Sequence, residues 1–372
     1  MDTLRIIGDG RAIPDAEVPE GLTDKHLIEI FRWMILLRTF DERAVALQRQ
    51  GRLGTYAMYS GEEATQAGAL YALDETDWIF PSYRQNSISI LRGVPAAVVL
   101  GWWRGYGGEH GFYNTREYRC APICVPIGTH LPHAVGTAWA AKIRGDRTAS
   151  LVWFGDGATS EGDFHEAMNF ASVMRVATVF FCVNNRWAIS TPIHKQMATA
   201  TICEKAAAYA MPGLRVDGFD PIACWKVTRD ALERGRAGEG PTLIEAVCYR
   251  LKAHGTADDP SLYRDESETA RWLPYEPVGR MGAFLRRLRV LDDDTEEELR
   301  SEAKEHISAA VRDMEAIQQP DQNILFDGIY ASGRPWTFGE ALQELTTVER
   351  RPEVRPLGVA PSSGAGAEGK TQ

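Results

Sequence analysis

The sequence contains no run of apolar residues long enough to cross a bilayer, so no membrane-spanning helix is expected. It also lacks basic excess. Lys plus Arg number 41 against 51 Asp plus Glu, a formal net charge of −10, which argues against nucleic acid as a partner. Cysteine is sparse: Cys120, Cys124, Cys182, Cys203, Cys224 and Cys248 are scattered and form no C-x-x-C. In a chain of 372 residues that pattern reads as reduced thiols, with neither a disulfide framework nor a zinc site. Residues 1–20 show no basic stretch leading into an apolar one, so secretion is not expected and the chain reads as cytoplasmic. No internal repeat is visible. What is present is ordinary globular material, 44% hydrophobic and 25% charged, enough for a sizeable core. The length suits two domains, or one large α/β domain with appendages.

Residues 1–22 hold Gly, Pro and charge without periodicity and are expected to form an N-terminal arm. From Thr23 the texture changes. Thr23 or Asp24 can cap a helix whose apolar positions Leu27, Ile30, Phe31, Met34, Leu37 and Phe40 recur at threes and fours, until Gly51 and Gly54 end it. Helices are also expected over 61–73, 95–105, 131–143, 160–174, 221–235 and 295–317. Residues 148–154 and 177–183 are short continuous apolar runs, as in strands buried on both faces, and 241–249 is a third candidate. Strand, helix and strand in about 35 residues make one βαβ unit, whose crossover is right-handed in nearly all folds. The fold class is therefore α/β: a doubly wound, mainly parallel sheet with added peripheral helices. Residues 255–260 are polar and turn-rich, and a mobile loop is expected there. The main domain is assigned to 23–330. Residues 331–372 form a C-terminal tail, and its end, 352–372, is rich in Pro, Gly, Ser and Ala and is expected to be disordered.

The informative constellation is Gly155-Asp156-Gly157 after one strand and Asn184-Asn185 after the next, separated by the 26 residues 158–183. Either alone is usually turn chemistry. Each following a buried strand, at this spacing, is far more specific. If the strands are parallel, both motifs lie at the carboxyl edge of the sheet, where ligands bind in open α/β folds. Gly155 and Gly157 let backbone N–H groups approach a phosphate, and a helix starting near Ser160 would aim its positive end there. Asp156 and Asn185 offer hard oxygen ligands suited to Mg²⁺, with the Trp187 carbonyl as a third. The physical reading is a Mg²⁺–diphosphate site.

These motifs resemble the thiamine diphosphate motif of the transketolase and 2-oxo acid dehydrogenase families. The wider text is similar to the alpha subunits of the decarboxylating first component of 2-oxo acid dehydrogenase complexes, from about Thr23 to Tyr330. The stretches that carry the likeness are Gly51-Arg52-Leu53-Gly54, Ser60-Gly61-Glu62-Glu63-Ala64, Tyr83-Arg84 and Ile127 through Pro132. Ala188-Ile189-Ser190-Thr191, Val216-Asp217-Gly218 and Tyr249-Arg250 through His254 to Tyr263-Arg264 extend it. The resemblance implies thiamine diphosphate and Mg²⁺ as cofactors. By matched position, Asp156, Asn185 and the Trp187 carbonyl hold the metal. Tyr83, Arg84 and the backbones of Gly157 and Ala158 hold the diphosphate. Ile127 props the cofactor in its bent conformation and Val125 lies against its aminopyrimidine. His254 matches the loop histidine beside the reaction intermediate and is the catalytic candidate, with an imidazole expected to titrate near neutrality.

The resemblance also implies partners. The glutamate that activates the cofactor belongs to a separate beta subunit, so an α2β2 heterotetramer is expected, handing its product to the lipoyl group of a dihydrolipoyl acyltransferase. Among 2-oxo acid substrates pyruvate is expected first, from the Gly-Arg-Leu-Gly and Ser-Gly-Glu-Glu-Ala stretches. Branched-chain 2-oxo acids come second, on the run from Phe181 to Pro192, and acetoin third. The sequence departs from the family at three points. Gly255 replaces the phosphorylatable serine of mammalian relatives, Ala57 stands where pyruvate-selective mammalian members have a histidine, and His130 replaces a glutamine, which puts a monovalent cation site in doubt. Two rival readings are a catalytically inactive scaffold that keeps the fold and one half of a split transketolase.

Overall fold

A computed structural model describes residues 2–8, 18–106 and 113–318. The expectations for 331–372 lie outside the described residues. The central sheet has five parallel strands: β1 (Trp78–Phe80), β2 (Ser150–Gly155), β3 (Thr178–Asn184), β6 (Gly213–Asp217) and β7 (Thr242–Val247), in the order β1-β2-β3-β7-β6. A small antiparallel ribbon, β4 (Trp187–Ala188) and β5 (Thr191–Pro192), follows β3. The helices are α1 (Asp24–Arg49), α2 (Glu63–Tyr71), α3 (Ala96–Trp103), α4 (Thr115–Tyr118), α5 (His130–Arg144) and α6 (Gly162–Met174). They continue with α7 (Ile193–Gln196), α8 (Pro221–Arg234), α9 (Glu266–Trp272), α10 (Pro277–Arg287) and α11 (Asp293–Ala316).

The sheet is the α/β arrangement expected. Strands β2, β3 and β7 are buried almost throughout, which is why they read as unbroken apolar runs. Their side chains alternate between two cores. Val152, Phe154, Phe180, Cys182 and Leu243 pack with Leu131, Val135, Phe164 and Met168 of α5 and α6. Leu151, Trp153, Val179, Phe181, Ile244 and Ala246 face the other way, against Ala223, Cys224, Val227 and Ala231 of α8. The chain steps one way through β1, β2 and β3 and the opposite way from β6 to β7. Right-handed crossovers then put the connecting helices on opposite faces. The carboxyl ends of β2, β3 and β7 meet at this reversal, the position that opens a crevice in doubly wound sheets.

A third core is helical, joining α1, α3, α10 and α11. Thr23 caps α1 in a capping box with His26, and all six apolar positions read from the sequence are buried. Gly51, with φ of +72°, lets the chain leave the helix in a left-handed turn. Helix α2 rests directly on α8. A Cβ on Gly68 would sit 2.2 Å from the Pro221 carbonyl oxygen, so only glycine allows this approach.

Three features differ from expectation. Helix α6 begins at Gly162, because Asp156–Ser160 tighten into a 3₁₀ turn and Glu161 is extended. Residues 2–8 are engaged with the sheet: Leu4 pairs with Val216 at the β6 edge, and the Asp220 carboxylate accepts from the Ile6 and Ile7 amides. The 255–260 stretch, expected to be mobile, is tied down. The Asp258 carboxylate accepts from His254 N at 2.8 Å and Tyr263 OH at 2.6 Å, and Thr256 N donates to the Tyr56 carbonyl at 2.9 Å.

Candidate active site

A cleft of about 570 Å³ lies at the carboxyl ends of β2 and β3. All ten residues read from the sequence line it: Tyr83, Arg84, Val125, Ile127, Asp156, Gly157, Ala158, Asn185, Trp187 and His254. Asp156 follows β2 and Asn185 follows β3, so parallel pairing of those strands brings the two motifs side by side. Gly157 has a different reason from the one expected. A Cβ there would come 3.1 Å from that of Ala188, so the glycine lets the turn pack on the β4 ribbon. Gly155, by contrast, has open space where a Cβ would point.

Arg84 is 6% exposed and organises one wall. Its Nη1 donates to the carbonyls of Met58 and His254, and its Nη2 lies 2.9 Å from His254 Nδ1. A guanidinium only donates, so Nδ1 must be the acceptor and the proton of the neutral ring resides on Nε2. Burial, then the Arg84 and Arg250 charges, push the His254 imidazole down to about 4. This corrects the near-neutral expectation. At neutral pH His254 is an uncharged hydrogen-bond donor through Nε2, because it is partly buried and two guanidiniums stand beside it. Tyr83 meets its ring edge-on at 5.9 Å.

On the opposite side, Asn185 Nδ2 donates to Glu62 Oε1 at 2.7 Å, and Asn185 Oδ1 accepts from Trp187 N at 3.2 Å. An amide held by its NH₂ group presents its oxygen in a defined direction, as a cation ligand must. Glu62 is 1% exposed, 3.9 Å from Arg84 Nε, and burial lifts its carboxyl to about 7 against the opposing pull of Arg84. Burial likewise lifts Asp156 to about 6. Glu62 Oε2 and Asp156 Oδ2 are buried with no hydrogen-bond partner among the described residues. Unpartnered buried carboxylate oxygens are costly unless something cationic completes them. The Trp187 carbonyl accepts from Arg250 Nη1 at 3.2 Å, which leaves one lone pair.

No group of three or more His, Cys, Asp or Glu among the described residues has the arrangement of a metal site. The donors here are one carboxylate, one amide and one carbonyl, which suits a hard cation that takes its remaining ligands from phosphate and water. The expected helix N-terminus is displaced. Because α6 starts at Gly162, its first turn is preceded by Glu161, which also lines the cleft. Val125 (53% exposed) and Ile127 (41%) are apolar side chains open to solvent along the cleft. His130 is buried, its Nε2 bonded to the Trp153 carbonyl at 2.7 Å and its pKa pushed down to about 4 by burial.

Residues 31–323 match the dehydrogenase E1 component family. The chain belongs to this family. It is 41% identical over 338 residues to the 3-methyl-2-oxobutanoate dehydrogenase subunit alpha of Mycobacterium tuberculosis (strain H37Rv), covering 90% of this chain and 91% of that one. It is 37% identical over 331 residues to the pyruvate dehydrogenase E1 component subunit alpha of Staphylococcus aureus (strain Mu50), covering 89% of each. Membership in the E1 family brings 2-oxo acid dehydrogenase alpha-subunit chemistry and use of thiamine diphosphate.

Sequence reasoning about individual roles passed over several lining residues. Glu62 entered only as part of a matched string, since two adjacent glutamates before a helix carry no spacing signal of their own. Thr55, Trp102, Trp103 and Glu161 reach the cleft from separate loops and helix ends. Their convergence is tertiary, and no local pattern marks it. The membrane expectation has a structural counterpart: no helix among the described residues is long and apolar enough to cross a bilayer.

Proposed function

We propose that this chain is the alpha subunit of a thiamine diphosphate- and Mg²⁺-dependent 2-oxo acid dehydrogenase, acting with a separate beta subunit. The complex decarboxylates a 2-oxo acid and passes the acyl group to the lipoyl group of a partner acyltransferase. The observation that carries the reading is the convergence of Arg84, Asp156, Asn185 and His254 on one cleft at the carboxyl edge of the sheet. The buried, unpartnered Asp156 Oδ2 fits a cation, and the Arg84 guanidinium fits a diphosphate.

Asp156, Asn185 and the Trp187 carbonyl would hold Mg²⁺. Arg84 and Tyr83, with the Gly157 and Ala158 backbones, would hold the diphosphate. Thiamine diphosphate, when bound, supplies a carbon nucleophile and a sink for the electrons released on decarboxylation. His254, neutral and protonated on Nε2, is placed to donate a hydrogen bond to oxygen that gains charge in the reaction. The acidic residue that must face the aminopyrimidine is assigned to the beta subunit, so the lone chain is expected to be inactive.

The substrate reading shifts from the pyruvate expected first to a 2-oxo acid with a branched apolar side chain. The cleft is lined by Ala57, Trp102, Trp103, Val125 and Ile189, and Ala57 leaves room where a histidine would fill it. The Mycobacterium tuberculosis relative, named for 3-methyl-2-oxobutanoate, supports the same choice. Pyruvate is the second reading, on the Staphylococcus aureus relative. The test is turnover of 3-methyl-2-oxobutanoate, pyruvate and 2-oxoglutarate by the chain co-purified with its beta subunit, followed with an artificial electron acceptor. The expected result is a preference of about tenfold or more for 3-methyl-2-oxobutanoate, reduced by Ala57→His, since filling a pocket by one side chain changes discrimination by 1–3 kcal/mol or so. Cofactor binding without turnover of any oxo acid would overturn the reaction. Sugar phosphate turnover would replace it with the transketolase reading, and absence of cofactor binding with the scaffold reading.

A further inference from the structure

A second cleft, of about 650 Å³, opens beside the ends of β6 and β7, between residues 3–5 and helix α9. Its walls carry four guanidiniums, Arg5, Arg186, Arg215 and Arg271, against two carboxylates, Asp217 and Glu268. Asp217 is already committed: it accepts from Arg5 Nε at 3.2 Å, Arg280 Nη1 at 3.0 Å and Phe219 N at 3.0 Å. Glu268 accepts from the Trp187 indole at 3.3 Å.

Arg186 and Arg271 have no carboxylate within 4 Å among the described residues. The Nε atoms of Arg186 and Arg215 are buried without a hydrogen-bond partner. Arg215 has Glu245 Oε2 at 3.7 Å from its Nε and donates through Nη1 to Thr3 Oγ1 at 3.3 Å, which leaves its Nη2 for a ligand. Arg186 is also held in the left-handed region, φ +72°, with its guanidinium 5.1 Å from the Trp272 ring. The buried Nε and the ring contact together fix Arg186 in the cleft wall. Like charges gathered in a concavity repel one another, and an anion relieves that repulsion while satisfying the free donors.

We propose that this second cleft is a binding site for a small phosphate-bearing molecule, gripped by Arg186, Arg215 and Arg271. Guanidiniums match the oxygens of a phosphate in paired contacts, which a lysine cannot reproduce. The site adjoins the first cleft through one loop: Asn185 and Trp187 line the first, and Arg186 between them lines the second.

The test uses inorganic phosphate as the probe and thermal unfolding as the readout, because a ligand that binds the folded state raises its melting temperature by mass action. The full chain, alone and co-purified with its beta subunit, is first saturated with thiamine diphosphate and Mg²⁺. The expected result is a saturable rise with phosphate that sodium chloride at equal ionic strength does not produce. Arg271→Ala, at an exposed position where folding is not at risk, should raise the half-saturation concentration about tenfold, the loss of one charge-assisted contact. Arg271→Lys should recover only part of that loss.

Because the readout is binding, it can succeed or fail whatever the substrate of the first cleft. No rise beyond that given by chloride would overturn the proposal, as would a rise unchanged by Arg271→Ala. Saturation by citrate but not phosphate would overturn the phosphate assignment. An effect in the lone chain that disappears in the complex would make this surface a subunit contact.

Discussion

Asp41 sits in the middle of α1, where a carboxylate has no local reason to be, and it is 1% exposed. Its oxygens accept from Tyr56 OH at 3.0 Å, Tyr59 N at 3.0 Å and Ser60 Oγ at 2.6 Å. It therefore fastens the segment that delivers Ala57 to the cleft and the Met58 carbonyl to Arg84. Burial lifts the carboxyl from 3.8 to about 6, despite the hydrogen bonds that favour its charged form. At 1.36 kcal/mol per pKa unit, that lift opposes the charged form by about 3 kcal/mol.

The sign follows from linkage. Between pH 3.8 and about 6 the folded state binds the proton more tightly than the unfolded state, so this group's contribution to stability falls as pH rises through that window and stays low above it. Asp41→Asn keeps the shape and an acceptor but removes the titration. Its stability relative to wild type should climb by up to about 3 kcal/mol from pH 4 to pH 7.5, on top of a constant offset for the altered hydrogen bonds. Denaturant midpoints of both proteins across that range measure the slope. A difference independent of pH would refute the reasoning, whatever its size.

Other outcomes follow from packing and from the site. Gly68→Ala should destabilise by about 3 kcal/mol or more, since backbone lies where the methyl group must go, and the soluble yield and melting temperature report it. Glu62→Gln should weaken cofactor binding and raise the Mg²⁺ concentration it requires, because a glutamine can turn either end of its amide to Asn185 and no longer opposes Arg84. A metal titration at fixed thiamine diphosphate checks this, and an unchanged midpoint would remove Glu62 from the positioning of Asn185. Arg84→Lys keeps the charge but loses the fork that joins Met58 and His254. Cofactor affinity should fall about ten- to hundredfold, the worth of one or two charge-assisted hydrogen bonds.

The legible parts of the fold were those in which burial leaves a periodic mark. Strands β2, β3 and β7 are covered on both faces, so nearly every residue is apolar, and α1 carries its buried stripe openly. Strand β1, with three residues, and edge strand β6, which mixes Leu214, Arg215 and Asp217 around one buried valine, have no such run. Both escaped notice. Helix α10 has a strongly one-sided distribution, yet Gly279, Gly282 and three arginines conceal it from a reading of propensity.

The site divides the same way. Asp156 and Asn185 were found because parallel strands of fixed length set the spacing between their motifs. Glu62 and Trp103 come from elsewhere in the chain, and only folding brings them to the cleft. The state of His254 differs from expectation for a related reason: its pKa is lowered first by burial and then by Arg84 and Arg250, of which Arg84 lies 170 positions away. Gly255 is explained by contact, since a side chain there would press on the Tyr56 carbonyl oxygen at 3.2 Å.

The central claim is that one cleft on this chain holds a metal–diphosphate through Asp156. Its most direct test is thiamine diphosphate binding to the chain co-purified with its beta subunit, followed by quenching of tryptophan fluorescence, with Trp102, Trp103 and Trp187 lining the cleft. Binding should require Mg²⁺ and be abolished by a chelator. It should also weaken a hundredfold or so in Asp156→Asn, whose fold is preserved because the change removes a buried charge without altering its shape. Equal affinity without the metal, or in the folded Asp156→Asn variant, would contradict the account.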